Sequence, residues 1–301
     1  MLHTLRSALL PVLILGVSSA LTGCKTNCDS TEQGSRCVSE SAVGYKGTAI
    51  VQEVAWTAGQ ALRVGVAGGN VRYGDATTSI TVNVHGVTTI AGCTDVNKVC
   101  VQFTPINADT QERREEATRQ MKQVSNGGNL STTIVNDATQ GVVIEVKRDT
   151  ANSATFNSSL SALVDVLIPA GFDGDIIAGT NNIGDVVIKG VRRGLKVNVD
   201  NGNVLVQLGA VIAIQGGERT VTALDGDITF QVPAASLVSV QAQANADDPT
   251  LQTVELRGAT AGWKPELANT IHSATFSNIL GGGDGNWSLK ALSGAIAIDL
   301  F

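Results

Sequence analysis

The chain has 301 residues, with 21 Lys and Arg against 27 Asp and Glu and a net charge of −6. That mild acidity, without any cluster of basic residues, excludes a surface built to neutralise nucleic-acid phosphates. Charged residues are only 16% and aromatics 4%, while glycine is abundant at 33 and proline scarce at 6. With frequent Val, Ile and Thr, this composition points to an ordered all-β chain and excludes a disordered one.

Residues 1–23 carry one charge, Arg6, followed by an apolar run from Ala8 to Val17 that Pro11 and Gly16 interrupt. Ser18, Ser19 and Ala20 then lead into Leu21-Thr22-Gly23-Cys24. This is the layout of a secretory signal peptide, too short and too interrupted for a membrane-spanning helix. Small side chains beside the scissile bond let an extended backbone enter a peptidase. Leu21-Thr22-Gly23-Cys24 resembles the lipobox of bacterial lipoproteins. The resemblance implies a signal peptide over 1–23, acylation of Cys24 and a lipid bilayer as partner. An aspartate after the cysteine resembles an inner-membrane retention signal in enterobacterial lipoproteins; Lys25 stands there instead, which favours the outer membrane. Residues 24–46 are polar and small and read as a lipidated tether.

Assigning Cys24 to lipid leaves Cys28, Cys37, Cys93 and Cys100. Four cysteines allow three connectivities; short loop closure favours Cys28–Cys37 with Cys93–Cys100. A Cys₄ zinc site is the weaker reading, because no CxxC pair is present and an envelope compartment is oxidising.

From Gly47 onward the pattern is that of strands. Candidates are Thr48–Val54, Leu62–Val66, Ser79–His85 (Ile80, Val82 and Val84 on one face) and Lys98–Phe103. Gly65-Val66-Ala67-Gly68-Gly69-Asn70 reads as a glycine cluster between strands, without further meaning. Residues 109–124 lack alternation: Asp109 can cap, and Ala117, Met121 and Val124 form one stripe, predicting a short surface helix with a solvated charged face. Asn126-Gly127-Gly128 ends it and marks a candidate sub-boundary near 125–130. Strands resume at Leu130–Val135, Val142–Val146 and Ser161–Pro169.

The second half repeats a short step, a glycine, then Asp or Asn, then an apolar residue. It occurs as Gly174-Asp175-Ile176, Gly184-Asp185-Val186, Gly202-Asn203-Val204, Gly226-Asp227-Ile228 and Gly285-Asn286-Trp287. Leu195–Val199, Val211–Ile214 and Gly294–Ile298 read as further rungs. Glycine supplies the turn, Asx satisfies turn amides, and the aliphatics bury against neighbouring rungs, as in a right-handed β-solenoid or stacked β-sheets. The run Val166-Leu167-Ile168-Pro169-Ala170-Gly171, with these steps and Asp200-Asn201-Gly202-Asn203-Val204, resembles the auto-transporter adhesin head GIN domain and DUF4097 group. That resemblance implies a β-solenoid-like, adhesin-like domain over 47–301 that acts as a surface scaffold.

Little in the chain points to catalysis. His85 lies on the outward face of its predicted strand, and His272 has no carboxylate or cysteine at ligand spacing, so neither reads as a metal ligand or base. There is no Gly-x-Ser-x-Gly elbow. Asp173, Asp175, Asp185, Asp200, Asp225 and Asp227 are read as lining one edge; a structural turn role is favoured there over calcium. Asp185, Lys189, Arg192 and Arg193 are the one local mix that a polysaccharide lyase-like β-helix enzyme would need. The expectation is therefore an envelope-anchored, non-catalytic ectodomain without cofactor or metal, adhesive or partner-binding, with an envelope protein or glycan as partner; the lyase is the alternative.

Overall fold

The computed structural model describes residues 24–31, 34–67, 72–73, 76–77, 79–84, 89–110, 130–148, 160–191, 193–209, 218–236, 238–244, 254–258, 264–265, 273–277 and 286–301. These residues are all-β. The first strands are β1 (Cys24–Thr31), β2 (Gly34–Lys46), β3 (Ile50–Val54), β4 (Leu62–Ala67), β5 (Arg72–Tyr73), β6 (Ala76–Thr77), β7 (Ser79–Val84) and β8 (Val99–Thr110). Next come β9 (Leu130–Asp137), β10 (Gly141–Arg148), β11 (Leu160–Ile168), β12 (Ile176–Ile183), β13 (Asp185–Val191), β14 (Leu195–Asn201) and β15 (Val204–Leu208). The remainder are β16 (Arg219–Asp225), β17 (Ile228–Val232), β18 (Ser239–Ala244), β19 (Val254–Gly258), β20 (Lys264–Pro265), β21 (Ser273–Ser277), β22 (Asn286–Ser293) and β23 (Ile296–Leu300).

Two mixed sheets hold almost all of them. The eleven-stranded sheet runs β1-β2-β8-β11-β7-β13-β15-β17-β23-β19, with β3 also on β8. The ten-stranded sheet runs β20-β21-β18-β22-β16-β14-β12-β4-β10-β9. From β12 to β17 the chain alternates between the sheets, one strand in each, and every ladder so formed is parallel. Alternate residues point inward: Val197 and Val199, Val204 and Val206, and Ile228 and Phe230 are all buried, and their neighbours are not. Parallel sheets usually lie buried on both faces under crossover helices. Here short turns replace the crossovers, so each strand keeps one outward face and reads as an alternating sequence.

The stacking order departs from chain order at both ends. Each step contributes one strand to each sheet, and the steps lie as β10/β11, β4/β7, β12/β13, β14/β15, β16/β17, β22/β23, β18/β19. The C-terminal pair β22/β23 thus sits between β16/β17 and β18/β19, in parallel ladders with both neighbours in both sheets. Phe301 N–H donates to Val232 O at 3.1 Å, and Ala234 N–H donates to Phe301 O at 2.8 Å, fastening the residue after β23.

The two inner faces share one core of Val, Ile, Leu and Ala. Phe230 of β17 and Trp287 of β22 meet across it with ring centroids 4.7 Å apart, a contact worth about 0.5–1.5 kcal/mol beyond its buried area.

Two expectations are revised. Among the described residues there is no helix: Asp109 and Thr110, expected to open one, end β8, and residues 111–124 lie outside the described residues. The polar stretch 24–46, expected as a tether, forms the antiparallel hairpin β1–β2, and β2 continues onto β8 through Ala42–Lys46. The rung expected at Val211–Ile214 and the signal peptide 1–23 also lie outside the described residues.

Candidate binding face

The repeated Gly-Asx step builds one edge of the molecule. Gly184, Gly202, Gly226 and Gly294 lie one above another where the chain passes from the ten-stranded to the eleven-stranded sheet. A Cβ at Gly226 would lie 2.0 Å from Gly202 O, and one at Gly294 would lie 2.0 Å from Gly226 O. Such distances admit no side chain, so Gly226 and Gly294, like Gly202 with 2.1 Å to Gly184 O, are glycine by necessity. Beside it the Asx side chains form a ladder. Asn203 N–H donates to Asp185 Oδ1 at 2.7 Å, Asp227 N–H to Asn203 Oδ1 at 3.0 Å, and Ala295 N–H to Asp227 Oδ1 at 2.8 Å. Asn201 Nδ2 adds a bond to Asp225 Oδ2 at 2.8 Å.

Asp173 and Asp175 are not on this edge. They sit at the opposite one, where Asp173 Oδ1 accepts from Gly59 N–H at 2.8 Å and Asp175 Oδ1 from Gly194 N–H at 3.1 Å. The six aspartates therefore do not line one edge, because Gly174-Asp175-Ile176 opens a strand of the ten-stranded sheet whereas Gly184-Asp185-Val186 opens one of the eleven-stranded sheet. Among the described residues no three His, Cys, Asp or Glu side chains gather as a metal ligand set.

The lyase-like residues are also apart. Asp185 Oδ1 is engaged in the ladder, Lys189 lies along β13, and Arg193 Nη1 donates to Asp173 O at 2.8 Å at the other edge. Arg192, His85 and His272 lie outside the described residues.

Cys93 and Cys100 form a disulfide with Cα atoms 5.9 Å apart. Glu53 of β3 clamps the loop it closes, accepting from Asp95 N–H at 2.8 Å and from both the N–H and the hydroxyl of Thr94. These bonds, led by the Asp95 amide, hold the Glu53 carboxyl below its ordinary value. The backbone of hairpin β1–β2 sets Cys28 opposite Cys37, Lys25 opposite Glu40, and Asp29 opposite Arg36, with Cys24 opposite Ser41.

The outward face of the ten-stranded sheet is polar. One level of it runs from Glu145 through Gly65, Gly179, Asn198 and Thr222 to Lys290, on β10, β4, β12, β14, β16 and β22. Two glycines side by side leave a trough in this face, about 160 Å³, whose walls include Glu145, Lys147 and Asn181. Lys147 Nζ lies 2.6 Å from Glu145 Oε2 at the rim. The glycines differ in kind. A Cβ at Gly179 would press on Asn198 O at 2.7 Å, whereas one at Gly65 would meet nothing within 4 Å. Packing explains Gly179 and leaves Gly65 unexplained, since a glycine inside a strand weakens it and adds no side chain to pack. The sequence places Gly65 in the alternating strand Leu62–Val66, and that alternation sets it outward between the buried Val64 and Val66; the glycine cluster Gly65–Asn70 gave no hint of the trough.

No protein-family model matches the chain, and no curated protein does. Among solved structures, the chain is similar to one described as a "putative cell adhesion protein" from Clostridium sporogenes, with a TM-score of 0.53 and 10% identity over 84% of this chain and 99% of that one. At that identity the likeness is one of fold alone.

Proposed function

We propose that this chain is an envelope lipoprotein whose β-solenoid-like body serves as a non-catalytic adhesive surface. In this reading residues 1–23 are a cleaved signal peptide, Cys24 carries the lipid, Lys25 in place of a retention aspartate favours the outer membrane, and Cys28 is bridged to Cys37. The trough floored by Gly65 and Gly179 carries the binding reading, since it is open and sets Glu145, Lys147 and Asn181 around a largely apolar floor. An apolar floor with a few hydrogen-bonding groups at its rim suits a glycan chain, whose ring carbons lie on the floor while its hydroxyls donate and accept at the rim. The exposed Glu145–Lys147 pair holds little energy of its own, so a ligand exchanges its bonds at small cost. The described adhesion protein of similar fold supports a surface role.

Two experiments test this. Cys24→Ser is expected to abolish palmitate labelling and release the protein from membranes; unchanged partitioning defeats the anchor. The released Cys24→Ser protein is then screened against envelope glycans, and Gly65→Leu, which fills the trough, is expected to abolish the binding found. Binding that survives Gly65→Leu removes the trough from the account, and release of unsaturated sugar products would establish the lyase instead.

A further inference from the structure

We infer, on the reading that the trough is a binding site, that its ligand is an acidic glycan chain laid across the strands, running from Gly65 and Gly179 over Asn198 and Thr222 to Lys290, which holds an anionic group of the chain. The parallel ladders of the ten-stranded sheet keep these positions level. Gly179 lies opposite Asn198, Asn198 opposite Thr222, Thr222 opposite Lys290 and Lys290 opposite Gln243, on β12, β14, β16, β22 and β18. Asn198, Lys290 and Gln243 are exposed and Thr222 is half-buried, so the row faces outward. From Gly179 to Lys290 is three strand spacings, about 14 Å.

Among the described residues this row alone carries hydrogen-bonding groups onward from the trough without a break. In the row on one side, Ile177 separates Arg63 from Lys196. On the other side Leu224 and Leu292 stand together, between the paired Ala223–Ala291 and Asp225–Ser293, and are 40% and 37% exposed. Thr222 and Lys290 thus have an exposed apolar pair beside them, much as Glu145 and Asn181 have the floor of Gly65, Val66 and Gly179. Apolar surface edged by a few hydrogen-bonding groups is what sugar rings need, with carbons on the one and hydroxyls at the other. Two such places on one face, bridged by Asn198, suit a chain better than a single sugar.

Lys290 sets the charge of that chain. Two other lysines of this face are answered by carboxylates: Lys147 Nζ lies 2.6 Å from Glu145 Oε2, and Lys196 Nζ 4.0 Å from Glu218 Oε2. Lys290 has no ion-pair partner among the described residues. Around it on the outward face, β16 presents Thr220, Thr222 and Leu224, and β18 presents Gln241 and Gln243. Ser288 and Leu292 flank it on its own strand. All are uncharged, so the ammonium attracts an anion and no neighbouring carboxylate competes. The Glu145–Lys147 end, neutral as a pair, adds no preference of its own.

Oligosaccharides of graded length cut from hyaluronan and from alginate, each as the acid and as its neutral methyl ester, are titrated into the full-length protein by calorimetry and followed on its amide NMR signals. Affinity for the acids is expected to rise with length until the chain reaches about 14 Å beyond the trough and then to level off, with the amides of Asn198, Thr222 and Lys290 shifting only for the longer chains. Lys290→Gln is expected to weaken the long acids about fivefold, to the level of their esters, and to leave the shortest oligosaccharides unaffected. Long acids that bind no better than their esters, long acids that Lys290→Gln does not weaken, or acids that do not bind at all overturn the inference alone. Binding that survives Gly65→Leu overturns the trough and the inference together.

Discussion

The four inner steps, β12/β13, β14/β15, β16/β17 and β22/β23, and the three outer ones solve the same problem differently. The inner steps pass between sheets through tight turns stacked on Gly184, Gly202, Gly226 and Gly294. The outer steps β10/β11, β4/β7 and β18/β19 are joined across the same edge by longer connections. Where turns stack, each backbone holds the next and nothing else is needed. At the β10/β11 end, β11 lies against β8, whose loop is held covalently by Cys93–Cys100 and clamped by Glu53. The trough lies at the border between the two regimes, with Glu145 and Gly65 on outer strands and Gly179 on an inner one. Regular stacking supplies rigidity, and the departure from it supplies shape.

Substitutions on each side of that border should behave differently. The largest effect belongs to Trp287→Ala, which empties the inner core beside Phe230 and is expected to cost about 3–5 kcal/mol in chemical denaturation; less than about 1 kcal/mol would mean that β22 is not seated. Cys93→Ser opens the short covalent loop at the outer end, with an expected loss of about 2–3 kcal/mol from loop entropy. If the stability is unchanged, the outer end does not depend on its bridge. A pair of identical substitutions sharpens the contrast further. Gly226→Ala drives a Cβ into the Gly202 carbonyl at a φ of 146° and should cost about 1–3 kcal/mol. Gly65→Ala enters open space and should be neutral or stabilising by about 0.5–1 kcal/mol. Equal costs for the two would erase the distinction between stacked and open glycines.

The smallest effect is acid-dependent. Glu53 is held below its ordinary value of 4.5 by the amides it accepts from, so its contribution is present above 4.5 and is lost as pH falls through the lowered value. Titration of the Thr94 and Asp95 amide signals should give a midpoint below 4.5 that disappears in Glu53→Gln. A midpoint at or above 4.5 contradicts the clamp.

Much of the inner region was legible in the sequence because its turns are local. A glycine followed by Asx and an aliphatic residue encodes the turn wherever it stands, and β14, β15, β17 and β23 fall where the pattern expects them. The same locality hides which sheet follows. Gly174 and Gly285 carry the same signature yet precede strands of the ten-stranded sheet, so the aspartates divide between two edges. Nor does a turn reveal its partner in the stack: Ala295 donates to Asp227 across 68 positions, and no pattern near either residue announces it. The hairpin β1–β2 was overlooked for another reason. Polar composition suggested a spacer, although one register opposes Lys25 to Glu40, Cys28 to Cys37 and Asp29 to Arg36. The trough depends on Gly65 and Gly179 being neighbours, which only the pairing of β4 with β12 brings about.

The placement of β22 and β23 between β16/β17 and β18/β19 is the central claim, and amide hydrogen exchange reads it directly. Central residues exchange at rates set by global unfolding, whereas fraying ends exchange fast. The account predicts that the amides of Leu289–Ala291 and Ile296–Ile298 are as slow as those of Val204–Val206 and Ile228–Phe230, and slower than those of the edge strand β19. Fast exchange throughout 286–301 would contradict it.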